Sequence, residues 1–149
     1  MYQKILVPLD GSRRGERILP HIAEMARRYE AEVIFLQVLE PNAIIADPYE
    51  ALAYIEMDAL FKQYEEEART YLTKWQANFE AKNIVASVCV ERGGVVNTII
   101  EIAEREEVDL IAMSSHGRTG LARVFYGSVA AGVLHRVERP LLLIRSQDE

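Results

Sequence analysis

Five short apolar runs, separated by stretches of helical period, constrain this 149-residue chain more tightly than any other feature. The runs are Lys4 to Leu9, Glu32 to Leu39, Val85 to Glu91, Val108 to Met113 and Pro140 to Ile144. Near-continuous aliphatic and β-branched residues are what strands buried on both faces require, which points to a parallel sheet covered by helices. The run at Val85 alternates, which suits a place nearer the sheet edge. Between the runs, Ile18, Ile22, Met25, Ala26 and Tyr29 predict a helix from Arg13 to Glu30, with Ser12 as its cap and Pro20 bending its middle. Leu60, Tyr64, Ala68, Tyr71, Leu72, Trp75 and Phe79 predict a second from Ala51 to Lys82, and Val96, Ile99, Ile100 and Ala103 a third from Val95 to Glu107. Strands alternating with helices need right-handed crossovers, so the expected class is α/β: one domain spanning 1–149, an open five-stranded parallel sheet with helices on both faces.

Composition removes several function classes. Half the residues are apolar and 27% are charged, as in ordinary globular chains, and this length can bury roughly 70% of the surface of its unfolded form. The formal charge of −6 argues against a nucleic-acid surface, which needs a basic stripe to neutralise phosphates. No window reaches the ~18 apolar residues of a membrane span, so the expectation is a cytoplasmic protein without a membrane partner. One cysteine, Cys89, excludes an internal disulfide and a multi-cysteine metal site, and its setting in Ala86 to Val90 reads as a small core residue. Glu40 to Tyr54 has no clear period and reads as a long connection able to act as a flap.

The stretch from Met113 to Val129 carries the chemistry. It places small residues and glycines, Ser114-Ser115-His116-Gly117-Arg118-Thr119 and then Gly127-Ser128-Val129, between a buried strand and a helix that Ser128 can cap. Such a loop presents backbone N–H groups and the positive end of a helix dipole to an anion. In a doubly wound sheet, ligands lie beyond the carboxyl ends of strands where the order reverses, which brings Asp10, Val38 and Ser114 to one edge.

With those residues in view, the chain resembles the universal stress protein family along its whole length. The opening Lys4-Ile5-Leu6-Val7-Pro8-Leu9-Asp10-Gly11-Ser12, the central Ser114-Ser115-His116-Gly117 with Gly127-Ser128-Val129, and the closing Arg139-Pro140-Leu141-Leu142-Leu143-Ile144 carry the likeness. The ATP-binding branch shows Gly, two residues, Gly, nine residues, Gly, then Ser or Thr; Gly117, Gly127 and Ser128 fall on it, while Ser114 replaces the first glycine. The resemblance implies a Rossmann-like sheet of the adenine-nucleotide α-hydrolase type, in the order 3-2-1-4-5. It implies that Val38 offers backbone groups to adenine and that Pro8, Leu9 and Asp10 border base and ribose. Met113, Ser114, Ser115, His116, Gly117, Arg118 and Thr119 would wrap ribose and phosphates, and Gly127, Ser128 and Val129 would present the helix start, with Ser128 able to reach a Mg²⁺ bridging phosphate oxygens. The implied cofactors are ATP, or ADP or AMP, and Mg²⁺. The implied assembly is a homodimer through Pro140 to Ile144, acting as a stress-response regulatory module on a protein partner that the sequence does not identify.

Two other readings compete. A slow Mg²⁺-dependent ATPase would use the same site, yet the motif holds no general base and no Gly-Lys-Ser/Thr loop, so the expected turnover is slow or absent. A nucleotide-free dimeric interaction module would follow if Ser114 with Arg118, or Phe125 with Tyr126, blocked the cradle. Asp10, Ser115, His116 and Ser128 also invite a Ser-His-Asp hydrolase, but no Gly-x-Ser-x-Gly elbow accompanies them, and no catalytic residue is assigned.

Overall fold

A computed structural model describes residues 1–41, 51–116 and 127–146, with the backbone alone for 51–56. The chain runs through β1 (Lys4–Pro8), a 3-10 turn (Gly15–Ile18), α1 (Leu19–Tyr29), β2 (Glu32–Leu39), α2 (Ala51–Glu80), β3 (Ala86–Arg92), α3 (Val95–Arg105), β4 (Leu110–Ser114), α4 (Ser128–Arg136) and β5 (Leu141–Ile144). All four strand pairings are parallel, and the sheet order is β3-β2-β1-β4-β5. The Rossmann-like class, the strand order and the edge position expected for the third strand are therefore observed.

Two buried clusters sandwich the sheet. Val7, Ile18, Ile22, Phe35, Leu72 and Phe79 join one face to α1 and α2, with the Phe35 and Phe79 rings edge to face at 5.0 Å. Leu6, Ile34, Leu36, Ile99, Ile111 and Val133 join the other face to α3 and α4. On that second face Gly132 permits a close helix approach, since a Cβ there would stand 2.7 Å from Val96 Cγ2.

Three helices hand over to strands by one device. Backbone bonds from Ala31 to Ala26, Ile84 to Phe79 and Val108 to Ala103 close the same six-residue loop, each preceded by a left-handed residue: Glu30, Asn83 or Glu107. The apolar residue that donates the closing bond is buried each time. At this end of the sheet the Asp109 carboxylate accepts the Gln3 and Lys4 N–H groups at 2.7 and 2.8 Å, tying the starts of β1 and β4 together.

Two local expectations are corrected. Pro20 does not bend a continuous helix; it stands in the first turn of α1, where its missing N–H has no partner to lose, and the residues before it form the separate 3-10 turn. Ser128 is not the cap of α4; Gly127 is, in an extended conformation with φ −62° and ψ 158°, and no side chain caps that helix. The proposed flap falls largely on 42–50, outside the described residues.

Candidate functional site

Strand parity decides what the sheet presents at its carboxyl edge. In β2, Glu32 donates to the Gln3 carbonyl at 2.9 Å and the Leu36 carbonyl accepts the Leu9 N–H at 2.8 Å, so the even-numbered residues address β1. The odd-numbered ones address β3, as Val33 N–H to Val85 and Gly93 N–H to the Leu39 carbonyl show. Val38 therefore directs its N–H and C=O toward the β1 side, two residues past Leu36, where β1 has already ended at Pro8. On the other flank of β1, the pairing with β4 is registered only at Ile5↔Leu110 and Leu6↔Ile111. Pro8 occupies the β4-facing row and has no N–H to continue that ladder, so the two central strands part where the strand order reverses.

The turn after β1 is a knot of short bonds. Asp10 Oδ1 accepts the Ser12 N–H at 3.0 Å and the Ser12 hydroxyl at 2.5 Å. Ser12 Oγ in turn accepts the Gly15 N–H at 3.1 Å, but Ser12 is not the helix cap expected of it: Arg14 precedes the 3-10 turn and Ile18 precedes α1. The Gly15 carbonyl accepts the Ser114 hydroxyl at 3.1 Å, joining this turn to the end of β4. Next along, Glu16 Oε2 accepts the Tyr71 hydroxyl of α2 at 2.5 Å. Burial first, then the hydrogen bond to Glu16 and its charge, push the Tyr71 phenol well above the ordinary tyrosine range.

At the end of β4, Ser114 and Ser115 are both buried. Ser115 donates its N–H to the Ile144 carbonyl at 2.8 Å, accepts the Gly127 N–H at 2.7 Å on its own carbonyl, and accepts the Ser146 N–H on its hydroxyl at 3.2 Å. Its hydroxyl also meets His116 Nδ1 at 3.1 Å. These bonds seat the start of α4 against the end of β4. Gly127 is required there by space rather than by φ, because a Cβ would lie 2.8 Å from the Ser115 carbonyl oxygen. α4 starts at Ser128, which is exposed, and has no side-chain cap among the described residues.

The structure thus joins Asp10 to Ser114 through Ser12 and Gly15, and Ser115 and His116 to Gly127. Leu9 and Met113 are buried in the core, so only their backbones are available at the edge. Val129 packs against the α3 and α4 cluster. Gly117, Arg118, Thr119, Phe125 and Tyr126 lie outside the described residues. Sequence reasoning missed Gly15, Glu16 and Tyr71, whose roles depend on contacts between distant segments. It also missed Gln37, whose Oε1 is buried without a partner among the described residues. A glutamine inside the apolar run of β2 is the one available signal. Cys89 is half-buried on β3, and burial followed by the charge of Glu91 pushes its thiol up.

Comparison with known proteins agrees with the architecture. The universal stress protein MJ0577 of Methanocaldococcus jannaschii is 30% identical over 163 aligned positions, which cover 99% of this chain and 98% of that protein. Its solved structure matches with a TM-score of 0.89 at 29% identity, over 100% of this chain and 99% of that one. A universal stress protein in complex with cAMP shares the fold at 20% identity and TM-score 0.70, over 98% of each chain. So does a family member from Arabidopsis thaliana with AMP bound, at 17% identity and TM-score 0.69, over 97% of this chain and 92% of that one. The profile of the universal stress protein family matches residues 1–145, which with the shared sheet order leaves one conclusion: the chain belongs to the universal stress protein family.

Proposed function

We propose that this chain binds an adenine nucleotide across the crevice between the ends of β1 and β4. ATP with Mg²⁺ is the first choice and ADP or AMP the alternatives, and the chain acts as a dimeric regulatory module. The observation that carries the reading is the meeting of two sets of backbone groups at one sheet edge. Val38 directs a donor and an acceptor past the end of β1, matching the edge of adenine, and α4 begins without a side-chain cap, suiting phosphate. Two proteins of the same fold hold adenine nucleotides, cAMP in one and AMP in the other.

In this reading Asp10 anchors the ribose and Pro8 opens the crevice beside it. Ser114, Ser115 and His116, continued by Gly117, Arg118 and Thr119, border the ribose and phosphates, and Gly127, Ser128 and Val129 supply the helix start. Among the described residues no group of three His, Cys, Asp or Glu side chains is placed to hold a metal. A Mg²⁺ ion would therefore be held mainly by phosphate oxygens and water, with the exposed Ser128 hydroxyl as its protein contact, which is the usual pattern for this cation. When bound, the ion would neutralise phosphate charge.

The test is to denature freshly purified, never-dialysed protein and identify any released small molecule by mass and ultraviolet absorbance. Val38→Pro is the comparison, because it deletes the N–H assigned to adenine. Near-stoichiometric ATP, ADP or AMP from the wild type and a marked loss in the variant is the expected result. No nucleotide in the wild type, and no binding on adding ATP and Mg²⁺, would overturn the reading.

A further inference from the structure

The geometry points to Ser114 as a positioning residue for Asp10, and through it as a determinant of the choice between ribose and deoxyribose. This rests on the adenine-nucleotide reading above. Ser114 stands where the family's ATP-binding pattern has its first glycine, so its hydroxyl is an added group at that position. The hydroxyl is committed: Ser114 is 6% exposed and donates to the Gly15 carbonyl at 3.1 Å, across 99 residues of sequence. From Gly15 the chain of bonds continues without a gap. The Gly15 N–H donates to Ser12 Oγ at 3.1 Å, and the Ser12 hydroxyl and N–H donate to Asp10 Oδ1 at 2.5 and 3.0 Å.

Gly15 transmits position as well as polarity. A Cβ on it would stand 3.0 Å from Asp10 Oδ1 and 3.3 Å from Ser12 Oγ, so its backbone already lies against the carboxylate. A shift of the Gly15 peptide must move both Ser12 and Asp10. Two donors on a single carboxylate oxygen fix the rotation of that group, and a buried serine at the end of a central strand fixes the peptide that fixes them. β4 thereby sets the angle at which the Asp10 carboxylate meets a sugar hydroxyl, the Ser114 hydroxyl being donated to Gly15 rather than to the sugar. Removing the Ser114 hydroxyl cuts the link between β4 and the Gly15 carbonyl, which keeps only the bond of its own 3-10 turn, and so frees the turn from β4.

The experiment measures the affinities of the full-length protein for Mg²⁺-ATP, 2′-deoxy-ATP and 3′-deoxy-ATP by calorimetry, in wild type, Ser114→Ala, Ser12→Ala and Asp10→Asn. Wild type is expected to prefer ATP over at least one deoxy analogue. Both serine variants should lose about tenfold in ATP affinity, a hydrogen bond's worth, while changing little toward that analogue, so that their discrimination collapses as in Asp10→Asn. Ser12→Ala breaks the same chain on the surface side of Gly15 and keeps the test valid where Ser114→Ala folds poorly. A uniform loss toward all three nucleotides, or unchanged discrimination in both serine variants, overturns the positioning role while leaving the nucleotide reading intact. Wild type binding all three nucleotides equally also overturns it, and wild type binding none overturns both.

Discussion

Gly127 illustrates how a single residue serves fold and site at once. Its backbone angles suit any amino acid, so the glycine is explained by the Ser115 carbonyl, which a Cβ would approach to 2.8 Å. The obstacle is backbone rather than a movable side chain, and the Gly127 N–H is bonded to that same carbonyl at 2.7 Å. Gly127→Ala should therefore cost about 1–3 kcal/mol of stability, the range of overpacking, and Gly127→Val more, as measured by urea unfolding. From the motif alone, Gly127→Val reads as a binding mutation that spares the fold; the contact shows that it strains the seat of α4 first. Phe79 is a simpler case. It is 1% exposed and packs edge to face on Phe35, so Phe79→Ala should cost about 3–5 kcal/mol in the same assay. A loss below 1 kcal/mol would mean that the cavity collapses.

Among elements, α2 has the most distinctive attachment. Its apolar stripe was legible from the spacing of Leu72, Trp75 and Phe79, and Leu72 and Phe79 are indeed buried. The bond that ties the helix to the turn after β1 was not legible, since Tyr71 and Glu16 lie 55 residues apart and each looks like an ordinary helix residue in sequence. The same holds for Ser114 and Gly15, 99 residues apart. The helix ends at Glu30, Asn83 and Glu107 were obscure for a different reason: left-handed residues there are not glycine, and the buried apolar residue that closes each loop reads as the start of a strand. The parallel α/β class and the edge position of the third strand were legible because they follow from periodicity and crossover handedness, which are local or nearly so, whereas the strand order was legible only through the likeness to the family. The Tyr71 bond makes a prediction with a definite sign. The folded state holds the phenol proton more tightly than the unfolded chain, so its stabilisation is complete below the unfolded value of about 10 and is lost as the pH climbs toward the raised folded value. Tyr71→Phe should lower stability at pH 7 by about 1–3 kcal/mol, the worth of a hydrogen bond to a carboxylate. It should also flatten the fall of stability above pH 10, read from urea midpoints; an equally steep fall in the variant would assign the alkaline loss to other tyrosines.

At the scale of the whole molecule, the described residues dress the two edges of the sheet differently. The β3 edge is partly covered by α2, whose Gln76 side chain donates to the Ala86 carbonyl at 3.0 Å, and Arg92 at its end lies over the Phe61 ring at 4.5 Å and pairs with Glu65 at 2.6 Å. The β5 edge shows no comparable cover among the described residues: all four residues of Leu141–Ile144 are only half-buried, and Leu134 on the neighbouring α4 is 45% exposed. An aliphatic edge strand of this kind invites pairing with a second copy, which is the assembly proposed for this chain. Parity supplies a test that spares the fold. Ile111 donates to the Pro140 carbonyl and the Ile144 carbonyl accepts the Ser115 N–H, so the even-numbered residues of β5 face β4 and the odd-numbered ones face outward. Leu143→Pro removes an outward N–H and leaves the β4 ladder whole, a substitution tolerated on edge strands. Light scattering at tens of micromolar should give a dimer for wild type and a monomer for Leu143→Pro, while Leu142→Pro, on the inward row, should instead unfold the edge of the sheet. A dimer that survives Leu143→Pro with unchanged mass would place the two-fold contact elsewhere than on β5.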